Sequence, residues 1–413
     1  METDVIGYVQ YYYKQSPPSN KIRIFDYMNS VEETMEHLAD LNQLYLSYRK
    51  TRLSAPWKES TQRYSMNFLK NIVRARDELL AGTYEQKAFS EFTLRERGKV
   101  RHVRSIGMYD KVIQRDLCDG FLVPLLKPYL TYDNGASMKN KGVSFARKRL
   151  KVHLQRFYRE YGNDGYILCI DFSKFFDNIP HGQLLDALHK HISDERIYKL
   201  CAHLIDTFKL DVSYMSDEEY ANVYDTPFNT VTHFQKYLDS PIRGEKFFYK
   251  SAGIGSQVSQ ISGVYYPTPL DNYVKIVCGC KYYGRYMDDV YIIHHSKSFL
   301  KQLAKDLSVK ARTLGMFINP KKTQIIPLKH RFCFMQTLYC MNINGKISSV
   351  FKKKRFQKER RRLRAYKRLL LQEKLNLVDI ENAYKSWRGA YEKEVSKSIL
   401  RRFDRLYKEL FLQ

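Results

Sequence analysis

Apolar residues recur three and four positions apart over residues 32–48 and again over 65–81, with Leu, Met and Tyr on one side and charge on the other. Residues 1–85 therefore read as a helical N-terminal extension. The period changes at 89–104, where apolar and polar residues alternate on either side of Arg95-Glu96-Arg97-Gly98. That is the pattern of a β-hairpin setting Arg97, Lys99, Arg101 and Arg104 in a row, and a helix is predicted behind it over 109–123. Residues 130–141 read as loop, 142–161 as a basic helix, and 166–170 as a buried strand ending on Asp171. Helical spacing returns over 181–192, whereas 211–246 is polar and irregular and reads as an insertion. Residues 274–281, 286–294 and 323–327 read as short strands, with a helix over 298–314. Such alternation predicts a mixed α/β sheet with helices packed on it. From Phe351 onward, Leu, Tyr and Phe at helical spacing predict a small bundle.

Charge narrows the class of partner. The chain has 413 residues, 44% of them apolar, which is enough for a sizeable core divided among several subdomains. Its 70 Lys and Arg against 44 Asp and Glu leave a formal charge of +26, which calls for a polyanion, nucleic acid first. Residues 351–413 alone hold 20 basic and 8 acidic side chains, and so dense a surplus suits a duplex backbone. No run of about 18 apolar residues is present, and Met1-Glu-Thr-Asp-Val lacks a signal-peptide layout, so a cytoplasmic location with no membrane partner is expected. The seven cysteines lack paired C-x-x-C units and read as reduced thiols, with Cys278 and Cys280 as small buried groups in a strand. The 33 Tyr and 23 Phe supply core and, beside basic residues, stacking faces for bases.

The chemistry concentrates in three aspartates. Asp288 and Asp289 lie between two short apolar runs in Tyr286-Met287-Asp288-Asp289, and Asp171 ends an apolar strand far upstream. A turn and a neighbouring strand can bring these carboxylates to one point. Their mutual repulsion there calls for cations, and joining nucleotides uses two divalent ions about 3.5–4 Å apart.

With these residues in place the sequence resembles the bacterial reverse transcriptases, in order from Arg97 to Gly389. The resemblance implies an α+β right-hand polymerase: fingers over 86–165, a palm over 166–345 with a fingers insertion around 211–246, and a basic helical thumb over 346–413. In the first palm motif, Ile170-Asp-Phe-Ser-Lys-Phe-Phe-Asp-Asn-Ile-Pro-His181, Asp171 and the Phe172 carbonyl would hold metal together with Asp288 and Asp289. Phe176 matches the ring that excludes a ribose 2′-OH, which favours a DNA product. Arg101, with Lys99 as second candidate, matches the triphosphate contact of the fingers. In Asn319-Pro-Lys-Lys-Thr323 the register points to Lys322, with Lys321 in reserve, as the lysine that approaches the triphosphate. Phe334 and 339–346 resemble the primer-gripping hairpin, and Trp387 in Ser386-Trp-Arg-Gly389 reads as core packing.

One motif departs from the common form. Most reverse transcriptases carry Gln-Gly-x-x-x-Ser-Pro where this chain has Ile254-Gly-Ser-Gln-Val-Ser-Gln260, with Gly255 and Gln260 at the nucleotide and template. This variant is similar to that of diversity-generating retroelements and of related, defence-associated bacterial groups, in which it accompanies error-prone copying. The resemblance implies two Mg²⁺ ions, with Mn²⁺ as a substitute, dNTPs, an RNA template and a DNA primer and product. It also implies an associated noncoding RNA, an accessory protein, homo-oligomers and a bacterial or phage-encoded origin. Two alternatives stand beside it: an RNA-dependent RNA polymerase, opposed by Phe176, and a non-catalytic RNA-binding scaffold, favoured if the carboxylates fail to converge.

Overall fold

The computed structural model describes residues 34–87, 89–96, 99–222, 244–253, 255–351, 353–392 and 395–412. They form two compact units divided between Leu328 and Lys329.

The first unit begins with helices that are shorter than their hydrophobic period suggests. Thr34 caps a single turn, and the Asp40 carboxylate then accepts from the N–H groups of Asn42 and Gln43 to start α1, Leu41–Leu53. Asn67 makes a second break, separating Glu59–Met66 from α2, Phe68–Ala81, which ends at left-handed Gly82. Tyr48 of α1 stacks on Phe68 of α2 at 5.2 Å. The hairpin forms as expected, with β1 Ser90–Glu96 antiparallel to β2 Lys99–Ser105 and Glu96 opposite Lys99; its tip residues 97 and 98 lie outside the described residues. Next come α3, Met108–Asp116, and α4, Val143–Tyr161.

The central sheet follows. Strand β3, Tyr166–Asp171, leads to α5, His181–His189, and α6, Glu195–Asp206. Strands β4, Leu210–Asp211, and β5, Phe247–Phe248, pair at the base of the expected insertion, whose residues 223–243 lie outside the description. Helices α7, Gln257–Tyr265, and α8, Thr268–Asn272, precede β6, Tyr282–Tyr286, and β7, Asp289–His294; α9, Lys297–Thr313, and β8, Gln324–Pro327, close the unit. The order is β6-β7-β3-β8, and every pairing is antiparallel, so the sheet is not the mixed one predicted. A two-residue turn between β6 and β7 can only make an antiparallel pair.

Residues 274–281 are also not a strand. Helix α8 runs into a widened helical turn, Tyr273–Val277, and the Cys280 N–H closes on the Val274 carbonyl past Gly279 at φ 61°. The β-branched residues there suggested extended chain. Pro269 in the first turn of α8 sets the helix instead, and Ile276 and Val277 end up exposed.

Alternation along the paired strands puts Asp171, Asp289, Tyr291, Gly284 and Tyr282 on one face of the sheet. Helix α4 covers the part of that face remote from the aspartates, with His153 and Phe157 against Tyr282 and Tyr291. A Cβ on Gly284 would run into the Tyr291 ring, so glycine is required there. On the other face Leu168, Ile170, Val290 and Ile292 join Leu300, Leu303 and Leu307 of α9 in the core. Each such side chain contributes about 1.5–3 kcal/mol when fully buried.

The second unit contains β9 Phe332–Phe334, β10 Thr337–Met341 and β11 Ile347–Phe351 in the order β11-β10-β9, followed by α10 Lys353–Leu371, α11 Leu377–Tyr391 and α12 Lys397–Phe411. Met335 and Gln336 are both left-handed, as a type I′ hairpin turn demands. Leu363, Ile380, Tyr384, Phe403 and Tyr407 form the bundle core, and the Trp387 ring lies 4.7 Å from that of Phe403, as core packing predicts.

Candidate active site

Asp171 ends β3 directly opposite Asp289, which begins β7. The Asp171 carbonyl accepts from the Asn319 N–H on its other side, so the two aspartates form a non-hydrogen-bonded pair, in which Cα atoms lie about 4.5 Å apart and side chains approach most closely. Tyr286 pairs with Asp289 across the turn of Met287 and Asp288, and Met287 carries φ 53°. A non-glycine residue in that region holds about 1–3 kcal/mol of strain that its surroundings must sustain. All three aspartates are half-buried.

The segment after α9 completes this corner. Ser173 donates to the Phe317 carbonyl and Asn319 to that of Asp171, and Phe172 bridges Ile318. This pairing leaves the Phe172 carbonyl pointing to the opposite side, toward β7. The Asn319 side chain accepts from the Lys321 N–H, and Lys322 reaches back so that its Nζ lies 2.5 Å from Asp171 Oδ1. Of the two candidate lysines, Lys322 is the one paired with the carboxylate.

Phe176 lies on the loop beyond β3, its ring edge-on to Phe175 at 5.2 Å and resting on Gly263 of α7, where a Cβ would come within 2.8 Å of the ring. The loop ahead of α7 docks on the same segment: Ser251 donates to the Ile179 carbonyl and Ala252 to that of Phe176. Gly255 has φ 124°, and a Cβ there would lie 2.8 Å from the Arg104 carbonyl at the end of β2. What its backbone approaches in this structure is the hairpin, a packing need that the sequence reading, which invoked nucleotide and template, did not foresee. Ser256 caps α7 and donates to Gln114 Oε1 at 2.7 Å, and Gln257 donates to Asp119 at 2.8 Å. Exposed Gln260 lines a cleft of about 310 Å³ with Lys111, Gln114, Arg115, Gly255 and Gln257. Lys99 and Arg101 belong to β2, and their side chains lie outside the description.

A family profile described as reverse transcriptase (RNA-dependent DNA polymerase) matches residues 94–336. The chain belongs to the reverse transcriptase family. No curated protein matches it. The matched region contains the hairpin from residue 94 onward, the central sheet, all three aspartates and Lys322. A reverse transcriptase is an RNA-directed DNA polymerase, a nucleotidyltransferase that takes an RNA template, a primer and dNTPs, and its family uses divalent metal ions, usually Mg²⁺. No described helix is long and apolar enough to cross a membrane.

The donors of this reverse transcriptase suit such an ion. Among the described residues no three carboxylate, imidazole or thiolate side chains form a metal cage by themselves. Mg²⁺ needs no such cage: it keeps waters and takes one or two carboxylates plus substrate phosphates. Asp171 and Asp289 face one another on adjacent strands with Asp288 next in the chain, every donor is oxygen, and a cation, the Lys322 ammonium, already lies on Asp171.

Sequence reasoning missed the groups that support the turn. Arg285, one residue before the motif, is buried and makes a two-pronged ion pair with buried Asp271 of α8. On the opposite face Asp133 accepts from Arg149 at 2.7 Å and Lys275 at 2.6 Å. Burial works to raise the Asp133 carboxyl, but those two cations outweigh it and hold the group below the usual range. The signal was available for Arg285 at least, because a charge inside an apolar strand demands a partner.

Proposed function

We propose that the protein copies a bacterial noncoding or retroelement RNA into cDNA by two-metal nucleotidyl transfer, in antiphage defence or in a diversity-generating retroelement. The observation that supports this best is the direct pairing of Asp171 with Asp289 beside the Asp288 turn, with Lys322 on Asp171. When bound, divalent ions would activate the primer 3′-hydroxyl and neutralise the triphosphate. Asp171, Asp288 and the Phe172 carbonyl would hold them, with Asp289 completing or orienting the site. Lys322 would move from Asp171 to the triphosphate and supply a proton to the leaving pyrophosphate. Phe176, backed by Gly263, would face the sugar and reject a 2′-OH. Lys99 and Arg101 would hold the triphosphate, and Gly255 and Gln260 would border nucleotide and template. The second unit would act as thumb, with Phe334 and 339–346 against the primer. Catalysis would be positioning and charge neutralisation. We further assign the protein to the cytoplasm, with an associated noncoding RNA, an accessory protein and self-assembly as the partners its motif variant suggests.

The test is dNTP incorporation in Mg²⁺ by purified protein with its copurifying RNA, followed by sequencing of RNA and product. Asp288→Asn should abolish turnover and leave RNA binding largely intact. Full incorporation by that variant would rule the reading out. Incorporation of rNTPs as readily as dNTPs would instead indicate an RNA-dependent RNA polymerase. The sequenced template separates the roles: repeat-derived RNA points to diversity generation, a structured noncoding RNA to defence.

A further inference from the structure

We infer that the buried Arg285–Asp271 pair is a positioning element that sets the spacing between the catalytic turn and the Phe176 ring. This rests on the roles proposed above for Asp288 and Phe176. Arg285 lies on β6 and, by strand alternation, projects to the face opposite Asp289. Its Nε and Nη2 donate to the two Asp271 oxygens, each at 2.7 Å, and Nη2 also reaches the Val264 carbonyl at 2.7 Å. Two longer contacts run from Nη1, to the Gly263 carbonyl at 3.4 Å and to the Met287 carbonyl at 3.5 Å. One guanidinium thus touches the turn that carries Asp288 and the α7 residues Gly263 and Val264, of which Gly263 lies against the Phe176 ring. The main chain of Arg285 is pinned as well, its N–H donating to the Asp133 carbonyl at 3.2 Å and its own carbonyl accepting from Gly135 at 2.8 Å.

Stability alone accounts poorly for such a pair. Arg285 and Asp271 are 1% and 0% exposed in their side chains, and replacing a fully buried ion pair by apolar groups of similar volume is often neutral or stabilising. What apolar groups cannot do is fix direction. The planar fork of arginine meets both carboxylate oxygens and still has N–H groups left for carbonyls in its plane, whereas a lysine ammonium is a point charge on a flexible stem. The Tyr283 hydroxyl also donates to Asp271, which fixes the acceptor end. Gly263 transmits the position: with no Cβ, its backbone lies against the ring of Phe176, so a shift of the α7 carbonyls moves the ring.

The experiment compares Arg285→Lys and the isosteric Asp271→Asn with wild type and Asp288→Asn. For each, kcat, the KM for dNTP, the dNTP-over-rNTP preference and the melting temperature are measured, with activity scaled to titrated active sites. Arg285→Lys should lower kcat about 100-fold, the scale of a misplacement of roughly 1 Å, and should weaken sugar discrimination while the dNTP KM moves less. Asp271→Asn should shift both readouts the same way, and serves alone if the lysine variant fails to fold. A variant that melts lower yet keeps wild-type kcat and discrimination would reduce the pair to a structural contact and overturn the inference. Full turnover by Asp288→Asn would remove the reading of the turn itself, and the inference with it.

Discussion

Gly255 and Met287 both have positive φ, and the two positions behave differently because of what surrounds them. Met287 has φ 53° and closes the turn between Tyr286 and Asp289, so its strain belongs to the site it helps build. Gly255 has φ 124°, and the atom that a Cβ would meet is the Arg104 carbonyl, backbone that cannot rotate away as a side chain could. Gly255→Ala should therefore destabilise the protein by about 1–3 kcal/mol, within the range for a residue forced into a sparsely populated conformation. At this chain length each kcal/mol lowers the melting temperature by roughly 1–1.5 °C, which calorimetry resolves. An unchanged melting temperature would show that neither the positive φ nor the Arg104 carbonyl resists a Cβ at this position. The same substitution at Gly82, with φ 66° and nothing within 4 Å, measures the cost of an ordinary left-handed φ without any close contact.

At the scale of elements, the seat of α4 on the sheet depends on one neutral imidazole. Arg149 can only donate, so its 3.0 Å contact makes His153 Nε2 the acceptor and leaves the proton on Nδ1, which donates to the Tyr291 hydroxyl at 3.0 Å. Burial pushes His153 down from 6.5 to about 4; Asp133 works against that, while Arg149, Lys275 and Arg156 add to it. Between pH 6.5 and 4 the unfolded chain thus binds a proton that the folded one refuses, so stability falls as pH falls through this window, by up to about 3 kcal/mol. Asp116 and Asp177, raised by burial to about 7 and about 6, act with the opposite sign, because the fold retains their protons. The informative quantity is therefore a difference: His153→Gln should lose less stability than wild type between pH 6.5 and 4 in urea titrations. Parallel pH curves would place the proton elsewhere. None of this seam was legible beforehand, since His153 reads as one more polar residue in a basic helix. The strand ending on Asp171 and the strand that runs on from Asp289 were legible, because an apolar run bounded by a carboxylate marks the point where a buried strand reaches water or a cation; β6 was not, since the preceding strand was expected over 274–281. The wholly antiparallel sheet was not, nor the breaks at Asp40 and Asn67, because side-chain period does not record strand direction and a local cap can override it.

For the whole molecule, a charge of +26 says little about the fold and much about what the surface meets. Exposed Lys354, Lys358, Arg361, Arg364 and Arg368 lie along one face of α10 at helical spacing. The one acid within that helix, Glu359, is buried and paired with Arg362 at 2.6 Å, so it leaves the stripe unneutralised. If the stripe meets a nucleic-acid backbone, each phosphate contact releases condensed counterions and adds about 0.7–0.9 to the slope of log affinity against log salt. Changing Lys358, Arg361 and Arg364 together to Gln should make that slope shallower by roughly 2–3, weaken binding about equally for unrelated sequences, and leave kcat at saturating template-primer unchanged. A solvated helix face would leave the slope as it was. The bundle core of Leu363, Ile380, Tyr384 and Phe403 lies beneath α10 and is untouched by these changes, so the melting temperature of the triple variant separates lost contact from lost fold.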